Sequence, residues 1–270
     1  MPQSTIAVFC SDPTFLARSE QLTAQLDLPL IEIETAGQYQ LLLRHSRQGL
    51  ELFKPNDPKL TGSVRVDFIS GQAAFRRRRQ KKESLLRAVG CKGNALPKII
   101  DGTGGLGRDS FLLAAAGCQV HIFERQPIIA ALLADGLERA RTHPETLEIA
   151  GRIRLSVGDT VTAFRKMARC GEQVDAVYLD PMFPHRRKAA LVKKELQMLQ
   201  LLAPVEQDGA SEELLQAALA AAGNRVVVKR PVKAPFLTDL APSHSLAGKT
   251  VRFDVYLTVH QGVHPEHKFF

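Results

Sequence analysis

The sequence predicts an α/β protein: a doubly wound, mostly parallel sheet with an antiparallel last strand, preceded by a small N-terminal α+β domain. Three observations lead there. From residue 98 onward, β-rich runs alternate with apolar helical stretches, the pattern of a parallel sheet covered on both faces. The last two β runs are separated only by Ala247-Gly-Lys-Thr250, too short for a helical crossover, so they should pair antiparallel. Before residue 70 the chain holds short β runs around one helix, punctuated by turn residues such as Lys54-Pro-Asn-Asp-Pro58. The expected division is therefore 1–70 and 71–270, a reasonable size for one large domain and an appendage.

The first domain should begin with a strand over Thr5–Phe9, then a helix from Asp12-Pro13 to about Leu26. Asp-Pro suits a helix start, because Asp accepts from the free amides and Pro fixes the first helical φ. Strands are expected over Leu30–Ile33, Tyr39–Leu43, Leu50–Phe53 and Val64–Ile69. A basic helical stretch, roughly Gln72–Val89, leads into the second domain. Its strands should be Lys98–Ile100, Gln119–Phe123, Arg152–Val157, Val174–Leu179 and Arg225–Val228, with helices after the first four. Pro242–Leu246 and Val251–Val259 close the sheet.

Composition narrows the function classes. Apolar residues at 44% and charged residues at 24% exclude collagen-like, coiled-coil and largely disordered chains. Aromatics at 6%, with no Trp, disfavour a binder built on many base-stacking platforms. The net charge of +8 is local, since six cations lie in Arg76–Lys82 and only +2 remains without them. Such a run suits a polyanion or an anionic membrane surface. No apolar stretch approaches the ~20 residues that span a bilayer, and Ile6–Cys10 lacks a basic leader. A soluble, intracellular protein is expected. Cys10, Cys91, Cys118 and Cys170 form no C-x-x-C pair, so each should be a small buried apolar residue, and no metal is expected.

The chemistry is concentrated after the strands. The first strand of the second domain runs into Asp101-Gly-Thr-Gly-Gly-Leu-Gly107 and an apolar helix. Gly102, Gly104 and Gly107 satisfy G-x-G-x-x-G, which by itself is equally a tight βα turn without a ligand. Glycines let a backbone approach a ligand closely, and a helix start offers free amides. The next strand ends in Glu124, where a ribose would present two hydroxyls. The third ends in Gly158-Asp159-Thr160, where Asp159 can accept from an adenine amine or simply cap the following helix. Asp101 would be repelled by a pyrophosphate and attracted to an ammonium, so S-adenosylmethionine (SAM) fits better than NAD.

The fourth strand, Val174–Leu179, runs into Asp180-Pro-Met-Phe-Pro184. This resembles the Asp-Pro-Pro-Tyr motif of amino methyltransferases, with Met182 and Phe183 as departures. An exocyclic base amine is a poor nucleophile, its lone pair being conjugated with the ring. Asp180 and the Pro181 carbonyl can orient it toward a methyl group while Phe183 stacks on the base. The bland alternative is a Pro-rich turn with Phe183 in the core. No Pro-Cys motif is present, so direct in-line transfer without a covalent enzyme intermediate is expected.

Longer segments carry a family resemblance. Asp101–Asp109, Phe123–Pro127, Tyr178–His185, Ala190–Glu195 and Val226–Pro231, with Pro58–Leu60 and Val66–Phe68, resemble the RsmJ family over nearly the whole chain. Those are bacterial small-subunit (16S) ribosomal RNA guanine-N2 methyltransferases. The resemblance implies a Rossmann-like class I methyltransferase fold, SAM as cofactor, and small-subunit ribosomal RNA or the 30S particle as partner, in the cytoplasm. It places cofactor contacts on Arg108-Asp109, Glu124-Arg125, Asp159-Thr160 and Asp180; the family carries Ser-Ser where this chain has Asp159-Thr160. The basic groups Arg76–Lys82, Arg186-Arg-Lys188, Lys193-Lys194, Lys229-Arg230 and Lys233 would contact phosphates, the alternative for the first being a solvated helix face. Two other readings remain: an NAD-dependent oxidoreductase, and a non-catalytic RNA-binding protein with a vestigial fold.

Overall fold

The computed structural model describes residues 5–55, 57, 62–71, 74, 83–93, 95–181, 194–202 and 209–258. Two sheets organise the chain. The first has the order β2-β1-β3-β4-β5, from β1 (Ile6–Phe9), β2 (Leu30–Ile31), β3 (Leu41–Ser46), β4 (Gly49–Phe53) and β5 (Ser63–Arg65). β1 lies between two parallel partners, β2 and β3, and β3, β4 and β5 follow as an antiparallel meander. Asp12 does cap the expected helix, accepting from the Thr14 amide at 3.0 Å. The first turn is a 3-10 turn, however, and α1 spans Leu16–Leu26.

Several expected strands shift or shorten. The expected Leu30–Ile33 strand ends at Ile31, 3-10 turns over Ile33–Gln38 occupy the interval, and the expected Tyr39–Leu43 strand lies at Leu41–Ser46. The Val64–Ile69 run ends at Arg65, because the Asp67 carboxylate accepts the amides of Ile69 and Ser70 at 2.9 and 3.0 Å and turns the chain. Of the basic helical stretch, the described helix is α2 (Ser84–Ala88); Arg76–Lys82 and Pro58–Leu60 lie outside the described residues.

The second sheet carries seven strands in the order β11-β12-β10-β9-β6-β7-β8. In chain order these are β6 (Ile99–Asp101), α3 (Arg108–Ala115), β7 (Val120–Glu124), α4 (Pro127–Thr142), α5 (Leu147–Gly151) and β8 (Ile153–Val157). α6 (Thr160–Arg169), β9 (Val174–Leu179), α7 (Lys194–Gln200), α8 (Ala210–Ala221), β10 (Ala222–Pro231), β11 (His244–Ala247) and β12 (Val251–Leu257) follow. The short α5 was not anticipated. β6 to β10 run parallel, and β12 inserts antiparallel between β10 and β11, as the short final connection requires. Chain direction across the sheet reverses at β6, with β7 on one side and β9 on the other, so a crevice opens beyond its carboxyl end.

Side chains alternate between the two faces of each strand. Ile100, Val177, Leu179, Val226 and Val228 pack with Phe164 of α6 and Leu215, Ala218 and Ala221 of α8. Ile99, Tyr178 and Val227 face the other way, into a cluster with α2, α3 and α4. That cluster continues through Val8, Leu43, Leu50 and Leu52 of the first sheet, and Phe68 stacks on Phe111 at 4.2 Å. The two sheets thus share one apolar interior. Gly136 of α4 permits the approach, since a Cβ there would lie 2.4 Å from Val66.

The cysteines depart from expectation. Cys118 is buried, Cys10 and Cys91 are partly exposed and Cys170 is exposed. α2 and α3 both end in Schellman turns, with Gly90 and Gly117 at positive φ, and the residues that follow, Cys91 and Cys118, place their sulfurs 3.2 Å apart. Among the described residues no helix is long and apolar enough to cross a membrane.

Candidate active site

The Gly-rich loop is stretched across the crevice and pinned on both sides. Gly102 donates to the Tyr178 carbonyl of β9, and Gly104 donates to the Phe123 carbonyl of β7, each at 3.0 Å. Thr160, at the start of α6, donates its hydroxyl to the Gly102 carbonyl at 2.7 Å. A Cβ on Gly102 would come 2.8 Å from Leu179, and one on Gly104 would come 2.4 Å from Ile122. Gly107 opens α3 at φ +70°. Gly107 is favoured by its left-handed backbone, and Gly102 and Gly104 by close packing against Leu179, Thr160, Ile122 and the Phe123 carbonyl, so the glycines by themselves do not require a ligand. The carboxylates around the loop carry the functional signal.

Asp101 lies at the end of β6, 2% exposed, accepting from the Ser110 hydroxyl at 2.5 Å and the Thr103 amide at 3.0 Å. Burial pushes its pKa up to about 7; the nearby Asp109 and Asp180 charges add to this, and the two hydrogen bonds oppose it. Glu124, at the tip of β7, accepts from the Gly105 amide at 2.7 Å and the Gln126 amide at 2.8 Å, one to each oxygen. Burial raises its pKa, against the pull of those amides. Each oxygen keeps a further lone pair for a hydroxyl donor. Arg125 is exposed and sits close enough to favour the charged forms of Glu124 and Asp159. Asp159 caps α6, accepting from the Thr162 amide at 2.7 Å, which realises the capping alternative.

A charged group sits on one face of the sheet edge. Val228 pairs with Leu179, so the next residues, Lys229 and Asp180, stand level. By alternation Asp101, Asp180 and Lys229 share the face covered by α3. The Lys229 ammonium donates to Asp109 at 2.7 Å and to Asp180 at 2.8 Å, and the Tyr178 hydroxyl donates to Asp109 at 2.7 Å. The Asp180 amide donates to the Thr103 hydroxyl at 2.6 Å, tying β9 to the loop. Burial disfavours charge on both Asp180 and Lys229, but the two carboxylates hold the ammonium protonated. Arg108 pairs with Glu195 of α7 at 2.5 Å.

Expected phosphate contacts need correcting here. Lys229 is engaged by the two carboxylates, and Arg230 is 1% exposed and donates to the Pro235 and Phe236 carbonyls, whereas Lys233 is exposed. The two carboxylates take up the Lys229 ammonium, and burial takes Arg230 away from a phosphate surface. Pro181 ends the described part of β9's loop; Phe183, Arg186–Lys188 and Lys193, with the Lys194 side chain, lie outside it. Tyr178, Thr103 and Ser110 were not singled out from the sequence, nor was Lys229 as a partner of Asp180. Lys229 was open to detection, because it follows an apolar run at the carboxyl end of a parallel strand.

Among the described residues no group of three or more His, Cys, Asp or Glu side chains is arranged to hold a metal. His260 and His264 stand four apart and lie outside the described residues. Asp101, Asp109, Glu124 and Asp180 surround the crevice, with Lys229 as their one directly bonded cation among the described residues. That surplus of acid suits a ligand carrying a sulfonium and an ammonium and opposes a pyrophosphate. The donor set therefore fits SAM and disfavours NAD.

Comparison with known proteins agrees. A family described as SAM-dependent methyltransferase matches residues 22–258. The chain is 43% identical to ribosomal RNA small subunit methyltransferase J of Thioalkalivibrio sulfidiphilus, over 96% of this chain and 100% of that protein. It is 45% identical to the protein of the same name from Tolumonas auensis, over 93% of this chain and 98% of that one. A crystal structure of a SAM-dependent methyltransferase from Neisseria gonorrhoeae superposes with a TM-score of 0.73 at 31% identity, covering 97% of this chain and 100% of that one. The seven-stranded sheet is thus a Rossmann-like class I methyltransferase sheet, the cofactor is SAM, and the chain belongs to the ribosomal RNA small subunit methyltransferase J family.

Proposed function

We propose that this enzyme transfers a methyl group from SAM to the exocyclic N2 amine of a guanine in small-subunit ribosomal RNA, in the cytoplasm. The observation that carries the site assignment is Asp180: a carboxylate at the carboxyl end of β9, level with Lys229 and tied by its amide to the Gly-rich loop. The relatives named as small-subunit ribosomal RNA methyltransferases support the RNA substrate. Guanine as the base rests on the family resemblance. Residues 1–70 form the smaller module and 71–270 the catalytic one in this reading.

SAM supplies an electrophilic methyl group on a sulfonium. Glu124, fixed by two backbone amides, accepts from the ribose hydroxyls, with Arg125 alongside and Asp159 facing the adenine. Gly102, Gly104 and Gly107 shape the loop, Thr160 buttresses it, and Asp101, Arg108 and Asp109 line its acidic wall and helix start. Asp180 accepts a hydrogen bond from the amine, turning its lone pair toward the methyl group, and the Pro181 carbonyl is the second acceptor. Phe183 stacks on the base. As the N–C bond forms and the methyl–sulfur bond breaks, the cofactor would leave as a neutral thioether and the positive charge would pass to the amine, whose proton Asp180 would then accept. The test is single-turnover transfer of labelled methyl to RNA with both substrates saturating. Asp180→Ala should be at least about 100-fold slower, the scale of a ~1 Å misplacement. A rate within threefold of wild type, in a folded variant, overturns the assignment.

A further inference from the structure

Tyr178, Asp109, Lys229 and Asp180 form one hydrogen-bonded chain running from the interior of the sheet to its reactive edge. Tyr178 is 1% exposed and donates to Asp109; Lys229 bridges Asp109 and Asp180. Charges facing Asp180 come from every neighbouring element described: Lys229 and Arg230 from β10, Asp109 from α3, Asp101 from β6, with Tyr178 from β9 itself. Of these, Lys229 alone is bonded to the Asp180 carboxylate among the described residues. Asp180 is thus a carboxylate placed near two other acids with one ammonium to hold it ionised.

We propose that Lys229 is a positioning residue for methyl transfer, holding Asp180 ionised and aimed at the acceptor amine, with Asp109 and Tyr178 fixing the ammonium from behind. This rests on the reading of Asp180 given above. An ionised Asp180 accepts a hydrogen bond from the amine and can take its proton after transfer; a protonated one is a weaker acceptor and cannot take that proton. Removing the ammonium would leave Asp109 and the partly exposed Asp180 as neighbouring acids, and like charges disfavour double ionisation. The Tyr178 hydroxyl stabilises the ionised form of Asp109, so the proton would go to Asp180. The pull of an opposite charge at this distance is worth about 1–3 pH units. Burial raises the Asp180 pKa and Lys229 opposes that rise, so removing the ammonium acts in the same direction as burial.

The experiment compares wild type, Lys229→Met and Lys229→Arg in the ligand-free protein and in turnover. Carboxyl-carbon NMR of Asp-labelled protein follows the Asp180 titration, assigned by its absence in Asp180→Asn. The midpoint should rise by about 1–3 pH units in Lys229→Met and return toward wild type in Lys229→Arg. Single-turnover methyl transfer should show the same displacement of its acid limb, with cofactor affinity and melting temperature recorded for each variant. An Asp180 midpoint unmoved in folded Lys229→Met overturns the proposal. So does a shifted midpoint with an unshifted rate profile. The NMR arm needs no substrate, so it is separate from the Asp180 assignment itself, which fails on its own terms if Asp180→Asn transfers methyl at the wild-type rate.

Discussion

Glu124→Ala is the most informative perturbation of the cofactor side of the site. The carboxylate is 7% exposed and both its oxygens are engaged, by the Gly105 and Gln126 amides at 2.7 and 2.8 Å. Truncation therefore removes two things at once: the clamp between the Gly-rich loop and the start of α4, and the acceptor for the ribose hydroxyls. Leaving amides unpaired should cost about 1–3 kcal/mol of stability, visible as a lower melting temperature. Losing charge-assisted bonds to the ribose should cost about 1.5–3 kcal/mol of binding, roughly a 10- to 150-fold weaker Kd. Titration calorimetry with SAM, well below the variant's melting temperature, separates the two effects. Glu124→Gln should fall between, since its amide nitrogen cannot accept from the amide it would face. A melting temperature that drops while the Kd stays within twofold of wild type would refute the ribose role and leave Glu124 as a loop clamp.

Two further outcomes are expected. Asp101 has a folded-state pKa of about 7, against ~3.9 for an unperturbed Asp, so the folded protein holds a proton that the unfolded chain releases. Its stabilising contribution is complete below about pH 4 and is lost as pH rises through 7, at up to ~1.4 kcal/mol per pH unit. Denaturant unfolding of wild type and Asp101→Asn across pH 4–8 should show their stability difference changing in that window and levelling above it; a constant difference would count against a buried, protonatable Asp101. Replacing the six cations of Arg76–Lys82 with Gln should flatten the dependence of log K on log salt for RNA, by ~0.7 per lost contact if the strand is single. Cofactor affinity should be unchanged, and an unaltered slope would make the run a solvated face.

The catalytic sheet was legible because its signals are local. Each strand is a short apolar run, and the residues just beyond it (Asp101, Glu124, Asp159, Asp180) are polar in places where the alternating pattern puts the carboxyl edge. Less local features were hidden. Lys229 and Arg230 read as two surface cations, yet one is held by acids 49 and 120 residues away and the other by carbonyls of the next loop. Spacing along a chain carries no record of such partners. The glycines stay open as the sequence left them: a left-handed backbone at Gly107 and close packing at Gly102 and Gly104 favour glycine with or without a ligand. The early end of β5 is hidden because side chain to backbone bonds, here those of Asp67, compete with extended chain. The division at residue 70 was drawn from a change in pattern, which does not reveal that the two sheets share an apolar interior.

The identity of the methylated nucleoside tests the central claim most directly. Small-subunit ribosomal RNA from a strain lacking this gene is incubated with the purified enzyme and methyl-labelled SAM, digested to nucleosides and examined by mass spectrometry. Label in N2-methylguanosine, absent when Asp180→Ala replaces the wild type, is the expected result; label in a different nucleoside, or none in RNA that the wild-type enzyme binds, would contradict it.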